Sequence, residues 1–186
     1  MRKKIVLLYI SLISVFLVAC NEDTGFSSSP SLRLEFSCDT VSFDTLFTEV
    51  ISPTAKFVVR NRNENALRIS SVQLSGGAAS SFSVLVDGQY GSLMHDLEIR
   101  AKDSIYVLAS VSVGRNGADV PLMEKDSLVF TLESGVQQSV LLLAYGRDVT
   151  FLRGENIVAD TVLAPGHYVV YDSLTVARPG YDTLFP

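Results

Sequence analysis

The spacing of apolar side chains is the feature that most restricts the fold of this chain. From Leu32 onward, apolar and polar residues alternate with a period of two, and no stretch has the three-to-four-residue spacing of an amphipathic helix. Since a strand points successive side chains to opposite faces, the pattern predicts an all-β protein. The longest alternation predicts a central strand and comprises Ile105, Val107, Ala109, Val111 and Val113.

The number and spacing of the predicted strands indicate the class of β protein. We expect seven to eight short strands, separated by polar turns roughly every eight to twelve residues, which is typical of a β-sandwich. We therefore predict an immunoglobulin-like β-sandwich over residues 32–150, followed by a C-terminal β segment.

Three details of the pattern lead to specific expectations. Val41, Phe43 and Phe47 are predicted to share one face of an early strand. A change of phase at Ser70–Ser71 predicts a β-bulge or a strand that changes sheets. The run Val140–Ala144 is apolar at every position, so we expect it to be covered on both faces.

The order of several short motifs resembles the Hydin-like, major-sperm-protein-related family of immunoglobulin-like domains. The resemblance covers roughly residues 38–150, and Gly114 stands where the family often has a proline after its long strand. Such domains generally bind or scaffold other molecules, so the resemblance implies a non-enzymatic protein. The motifs are Val41-Ser42-Phe43-Asp44, Phe57-Val58-Val59-Arg60-Asn61, Leu67-Arg68-Ile69-Ser70-Ser71-Val72, Phe82-Ser83-Val84 and Val140-Leu141-Leu142-Leu143-Ala144-Tyr145-Gly146.

Residues 1–19 have the pattern of a signal peptide. Three basic residues precede fifteen uncharged ones, which is shorter than the roughly 20 apolar residues of a transmembrane helix. The run ends in Leu17-Val18-Ala19-Cys20, which resembles the lipobox of bacterial lipoproteins. The resemblance implies lipid attachment at Cys20 and membrane association through that anchor.

Residues 20–31 are predicted to form a flexible, serine-rich tether. The acidic pair Glu22-Asp23 resembles a surface-export signal that one phylum of Gram-negative anaerobes places just after the lipidated cysteine. This implies a lipid-anchored outer-membrane protein exposed at the cell surface. The alternative is a solvated tether on a protein of the periplasmic face.

Residues 151–186 differ in character from the predicted sandwich. Pro165-Gly166, Tyr168-Val169-Val170-Tyr171 and Leu174-Thr175-Val176 resemble the opening rung of a right-handed parallel β-helix. Because a β-helix buries its core only when about three or more rungs stack, we expect either a truncated product or a tail that packs on the sandwich as an extra strand.

The sequence predicts no catalytic, metal or cofactor site. His95 and His167 lie far apart, and no serine lies in a Gly-x-Ser-x-Gly elbow. Cys38 is expected to be buried at a strand start, although a single thiol could also react or pair between molecules. With 15 basic and 20 acidic residues, a net charge of −5, the chain is not expected to bind nucleic acid.

One tripeptide, Asp followed by Ser or Thr and an aliphatic residue, recurs seven times. A turn ending in Asp followed by a strand accounts for such a pattern. The tripeptide also resembles an O-glycosylation acceptor that the same group of bacteria uses on exported proteins. The implied acceptor hydroxyls are Thr40, Thr45, Ser104, Ser127, Thr161, Ser173 and Thr183.

Three functions follow from these patterns. The first is a non-enzymatic cell-envelope lipoprotein whose sandwich is a stalk or an interaction module for an unknown protein or glycan. The second is the N-terminal part of a carbohydrate-active β-helix surface protein. The third is a periplasmic assembly factor that binds a partner strand at a long, uncharged sheet edge.

Overall fold

The computed structural model describes residues 25–118 and 120–176. The predicted signal peptide (1–19), Cys20 and Thr183 lie outside these residues. Within the described ranges, no helix has the length and hydropathy needed to cross a membrane.

The protein is an all-β sandwich of two five-stranded sheets with an additional C-terminal β segment, as the alternation predicts. Sheet one has the order β1-β3-β8-β5-β6, and all of its strand pairs are antiparallel. Its strands are β1 (Glu35–Phe36), β3 (Ala55–Arg60), β5 (Phe82–Val86), β6 (Gln89–Tyr90) and β8 (Ser104–Val111).

Sheet two has the order β2-β10-β9-β4-β7. The edge strand β2 pairs in parallel with β10, whereas the other strand pairs of sheet two are antiparallel. The strands are β2 (Thr40–Phe47), β4 (Leu67–Leu74), β7 (Leu93–Ile99), β9 (Leu122–Leu132) and β10 (Gln137–Arg147).

The core lies between the inner faces of the two sheets. The predicted central strand is confirmed, because β8 is the third of the five strands of sheet one and its alternate residues from Ile105 to Val111 are buried, as is Val113 beyond its end. In β10 the inward residues Val140, Leu142 and Ala144 are fully buried, but the outward Leu141 and Leu143 are only half-buried. The expected cover on both faces is therefore complete only on the inner face.

Bulges shift the phase of three strands of the sandwich. The one predicted at Ser70–Ser71 is confirmed by a register shift between β4 and β9. In β7, which pairs with β4, the alternation of buried and exposed residues shifts by one position at Asp96, whose φ is 54°. The two phase changes match, so the same inward residues of β4 and β7 remain opposite each other.

The prediction that Phe47 shares the inner face of β2 is wrong. Asp44 has φ 52°, and an extra residue of β2 is accommodated opposite the stretch between Leu143 and Tyr145 of β10. This bulge turns the residues after it by one position, so Val41 and Phe43 are buried while Phe47 is 44% exposed.

Asn61 connects the two sheets at the crossover from β3 to β4. It is fully buried, and its amide nitrogen Nδ2 donates to the carbonyl oxygens of Asn65, Ile99 and Arg100 at 2.8, 3.0 and 3.1 Å. Its Oδ1 accepts from the backbone N–H and the side-chain amide of Asn63. A single side chain thus satisfies polar groups of two loops that are otherwise removed from water.

We expect Asn61→Ala to lower the free energy of unfolding by about 2–4 kcal/mol, because it leaves buried carbonyl groups without donors. Urea denaturation followed by circular dichroism measures this loss. The matched control is Asn65→Ala, since Asn65 contributes only its backbone carbonyl to this network. Equal stability of the two variants would contradict the role given to Asn61.

The glycine that closes the final motif, Gly146, is required by close packing. A Cβ atom at this position would overlap the buried side chain of Val113. Gly114, at the position where the family often has proline, has open space around it. The end of β10 therefore has no room for a side chain, whereas the loop after β8 does.

The C-terminal segment forms a separate two-stranded sheet. Strands β11 (Thr150–Ile157) and β12 (Tyr168–Val176) pair in parallel, and neither joins a sheet of the sandwich. Each strand has one residue in the left-handed region, Gly154 with φ 61° and Asp172 with φ 78°, at the point where the register shifts. The tail is thus a parallel β layer beside the sandwich rather than an extra strand of it.

The chain enters and leaves the sandwich at opposite ends. We call the end with loops 61–66 and 100–103 the entry end, because Phe26 forms a parallel bridge with Ala66 there. The end at which Arg147 pairs with Phe47 is the exit end, since β11 begins three residues later. β2 and β10 both run from the entry end to the exit end.

Candidate functional site

A cleft of about 380 Å³ lies at the exit end, between the sandwich and the tail sheet. Three separate stretches of chain form it: the loop after β8, the link between β10 and β11, and the turn before β12. The described lining residues are Arg115, Gly117, Ala118, Asp148, Val149, Thr150, Pro165, Gly166 and His167.

Asp148 fastens the loop after β8 to the link between β10 and β11. Its carboxylate accepts the N–H of Gly117 at 2.8 Å and that of Asn116 at 3.4 Å. Partial desolvation raises the pKa of Asp148, but these hydrogen bonds and the nearby charge of Arg115 outweigh it. The pKa therefore lies below its ordinary value.

Two arginines hold the remaining walls of the cleft. Arg115 donates from Nε to Glu49 at 2.9 Å and from Nη2 to the carbonyl of Val149 at 3.1 Å. Arg147 Nη1 lies 3.1 Å from Nε2 of His167, whose backbone oxygen accepts the N–H of Thr150. Side chains and backbone groups together therefore set how the tail joins the sandwich.

Aromatic rings continue this junction on the surface. Phe47, which the bulge in β2 turns outward, meets Phe151 edge to face with 6.1 Å between ring centroids. The guanidinium of Arg153 lies 5.2 Å from the centroid of Phe151 and 4.9 Å from that of Tyr171. A row of rings with an interposed cation thus runs from the sandwich onto the tail.

The side chains of the cleft that carry reactive polar groups include Asp148, Thr150 and His167. Among the lining residues given above there is no serine or cysteine, and the carboxylate of Asp148 is engaged by backbone N–H groups. In the part of the chain that the structure describes, no group of three or more His, Cys, Asp or Glu residues is placed to hold a metal.

The two histidines occupy different parts of the molecule. His95 is exposed on the edge strand β7, with Nδ1 3.2 Å from the carbonyl oxygen of Ser70. His167 lies in the tail at the exit-end cleft.

Cys38, predicted to be buried, is half-buried and packs against the core.

All four edges of the sandwich are short or interrupted. In sheet one the edge strands β1 and β6 have two residues each. In sheet two the bulges at Asp44 and Asp96 break the edges of β2 and β7, and β7 also carries His95 and Glu98. Such features protect an edge from pairing with another strand.

The predicted acceptor hydroxyls divide into two groups by exposure. Thr45, Thr161 and Ser173 are exposed, whereas Thr40, Ser104 and Ser127 are half-buried at strand positions. Thr45 and Ser173 each follow an aspartate in the left-handed region at a bulge, and Thr161 lies in the loop between β11 and β12.

Two copies of the tripeptide have a structural explanation in their aspartates. Asp103 accepts the N–H of Ser104 at 2.7 Å at the start of β8. The buried Asp126 accepts from Ser127 N–H, Gly76 N–H and the hydroxyl of Ser80, and so holds the loop that contains a 3-10 turn, Gly77–Ala79. At these copies the aspartate organises local backbone.

No protein-family model and no curated protein sequence matches this chain. Solved structures with similar folds include a protein of unknown function from Porphyromonas gingivalis W83, with 19% identity, TM-score 0.44, and coverage of 67% of this chain and 59% of that one. A family 123 glycoside hydrolase from Clostridium perfringens has 8% identity and TM-score 0.44, and the match covers 63% of this chain.

The match to the glycoside hydrolase spans only 28% of that enzyme's length. A third similar structure is the PapD-like domain 7 of human CEP192, with 12% identity, TM-score 0.39, and coverage of 66% of this chain and 89% of that domain. The assignment of the sandwich rests on the order and register of its own sheets.

Sequence reasoning missed the cleft because its walls come from distant parts of the chain. In the sequence, residues 115–117 have the pattern of an ordinary loop, and Asp148 is one of the polar residues that follow an apolar strand. The one signal of the cleft in the sequence was His167, a residue type common in functional sites, directly after the turn pair Pro165-Gly166.

Asp148 gives a pH-dependent prediction. Because its pKa is depressed in the folded state, its contribution to stability is present above its ordinary pKa of about 3.9 and is lost as the pH falls through the lower folded value. We expect Asp148→Asn to have a lower Tm than the wild type at pH 7, and we expect that difference in Tm to be smaller at about pH 3, which lies below the ordinary pKa of the group.

The control is Asp160→Asn, an exposed carboxyl in the loop between β11 and β12. It should leave Tm unchanged at both pH values. Thermal unfolding by calorimetry measures all three proteins, and a difference between Asp148→Asn and wild type that is as large at pH 3 as at pH 7 would speak against the carboxylate as its cause.

Proposed function

We propose that this chain is a non-enzymatic cell-envelope lipoprotein whose immunoglobulin-like sandwich is a stalk that presents an interaction surface. In this proposal, residues 1–19 are a cleaved signal peptide and Cys20 carries the lipid. The location is the outer membrane, with the sandwich at the cell surface, or otherwise on the periplasmic face. The partner is a protein or a glycan, and not a nucleic acid.

The observation that carries this proposal is the placement of entry and exit at opposite ends of the sandwich. A stalk must receive the anchored chain at one end and pass it on at the other. β10 alone has eleven residues, and at about 3.3 Å per residue it extends roughly 35 Å in that direction. The domain would therefore separate whatever follows it from the membrane by about its own length.

The exit end offers surface for a partner. Phe47, Val50 and Ile51 are exposed beside the cleft, and Ile51 is 72% exposed. Neighbouring exposed apolar residues at the end of a stalk favour an interaction module, since isolated ones would need no explanation. We place partner binding here rather than on the ion-paired entry end.

The protected sandwich edges weigh against the assembly-factor alternative. Such a factor needs a long, uncharged edge to accept a partner strand. Each sandwich edge in the described residues is either two residues long or broken by a bulge at an aspartate. We therefore favour the stalk.

A second candidate function is favoured by the tail. β11 and β12 pair in parallel, and Thr150 lies opposite Tyr168, which is 18 residues later in the chain. The register of this pair shifts once, and the left-handed residues Gly154 and Asp172 both lie at that shift. In a β-helix, successive turns of the chain stack in parallel, so a bend in the strand would recur at the same place in each turn. In that case the tail begins a β-helix, and the chain is the N-terminal part of a carbohydrate-active surface protein.

The lipid anchor is tested by labelling cells with radioactive palmitate. Cys20→Ser should abolish the label and leave the signal peptide uncut, because the thiol is the acceptor. Cys38→Ser, which removes the half-buried thiol of the sandwich, should keep the label. Absence of label on the wild-type protein would reject the anchor.

We also propose O-glycosylation of the exposed acceptors, chiefly Thr161. Intact-mass measurement of protein from its native host should exceed the lipidated polypeptide by a glycan. Thr161→Ala should lose that mass, whereas the half-buried Thr40→Ala should keep it. A wild-type mass equal to polypeptide plus lipid would rule the modification out.

A further inference from the structure

Residues 25–34, which we call the strap, lie against the entry end of the sandwich. The N–H of Ser27 donates to the carbonyl of Ala66 at 3.0 Å. The ring of Phe26 lies 4.6 Å from the guanidinium of Arg68. The segment predicted to be a flexible tether therefore has defined contacts from Phe26 onward.

The C-terminal half of the strap is held more firmly. Gln138 makes two hydrogen bonds with the backbone of Leu34, at 2.8 and 2.9 Å, and Leu34 is buried. The side chain of Asn63 donates to the carbonyl of Arg33 at 3.0 Å. Between the two attachments the chain turns, with the N–H of Leu32 bonded to the carbonyl of Ser29.

We infer that the strap holds the entry end of the sandwich close to the lipid surface, so that the entry-end loops form the membrane-facing surface of the protein. The inference rests on the proposed lipid anchor at Cys20. However residues 20–24 are arranged, the six residue steps from Cys20 to Phe26, the first attached residue, span at most about 22 Å. A tether free as far as Leu32 would span up to about 43 Å.

The charges of the entry end suit a layer of polar headgroups. Arg62 pairs with Glu35 at 2.9 Å, and Lys102 pairs with Glu64 at 2.6 Å. The side chains of Arg62, Glu64 and Lys102 are all more than half exposed. These two pairs cancel, while Arg33 and Arg100 are also exposed at this end. The inference rests on the distance to the anchor and not on attraction to anionic lipid.

The experiment uses the full, lipidated chain in phosphatidylcholine vesicles with an acceptor dye on the headgroups. A donor dye is attached to Asn65→Cys in the entry-end loop, in a Cys38→Ser background. A second protein carries the donor at Ala118→Cys in the exit-end loop. Energy transfer should be strong from position 65 and weak from position 118, because the sandwich separates the two.

Two insertions of the same six Gly-Ser residues test the strap itself. Placed after Thr24, the insertion lengthens the chain between Cys20 and the strap, so transfer from position 65 should fall as the separation grows by up to about 20 Å. Placed after Pro30, within the turn of the strap, it lies between two attached segments and should leave transfer unchanged.

Equal losses of transfer from the two insertions would overturn the strap, and equal transfer from positions 65 and 118 would overturn the membrane-facing assignment. Vesicle flotation separates these results from failure of the anchor. A wild-type protein that does not float rejects the lipoprotein proposal and this inference together, whereas a floating protein with equal insertion effects rejects this inference alone.

Discussion

The buried side chain of Asn61 is the interaction on which the entry end of the sandwich depends. The crossover from β3 to β4 moves the chain from one sheet to the other and leaves carbonyl groups of two loops out of reach of water. A primary amide can donate twice and accept from several groups, and Asn61 uses both capacities. Its partner Asn63 then reaches Arg33, so the same network extends to the strap.

The bulges determine which surfaces the protein offers to others. At Asp44 and Asp96 a left-handed residue interrupts the edge of sheet two, and aspartate tolerates this conformation better than most residues do. The bulge at Asp44 has a second effect, because it turns Phe47 outward to meet Phe151 of the tail. The bulge that protects the edge of β2 thus also creates the contact between Phe47 and Phe151 at the exit end.

The two ends of the sandwich differ in the way a stalk requires. The entry end is closed by a buried amide, ion pairs and the strap, which leaves mainly paired polar groups exposed. The exit end has a cleft, exposed apolar residues and a parallel sheet whose side chains are largely exposed. A two-stranded sheet is marginal by itself, so its attachment through Asp148, Arg147 and the ring of Phe151 is what orients it.

The sequence by itself determined the class of fold, the central strand and the bulge in β4, because side-chain alternation reports directly which residues face the core. It misplaced Phe47, because Leu46 and Phe47 both follow the bulge and are both apolar, so the pattern does not show which of the two faces the core. The cleft, the protected edges and the docking of residues 25–34 were decided only by the tertiary structure. Each depends on groups far apart in the chain, such as Arg115 with Asp148 or Ser27 with Ala66, and local sequence carries no information about such meetings until the two sheets have packed.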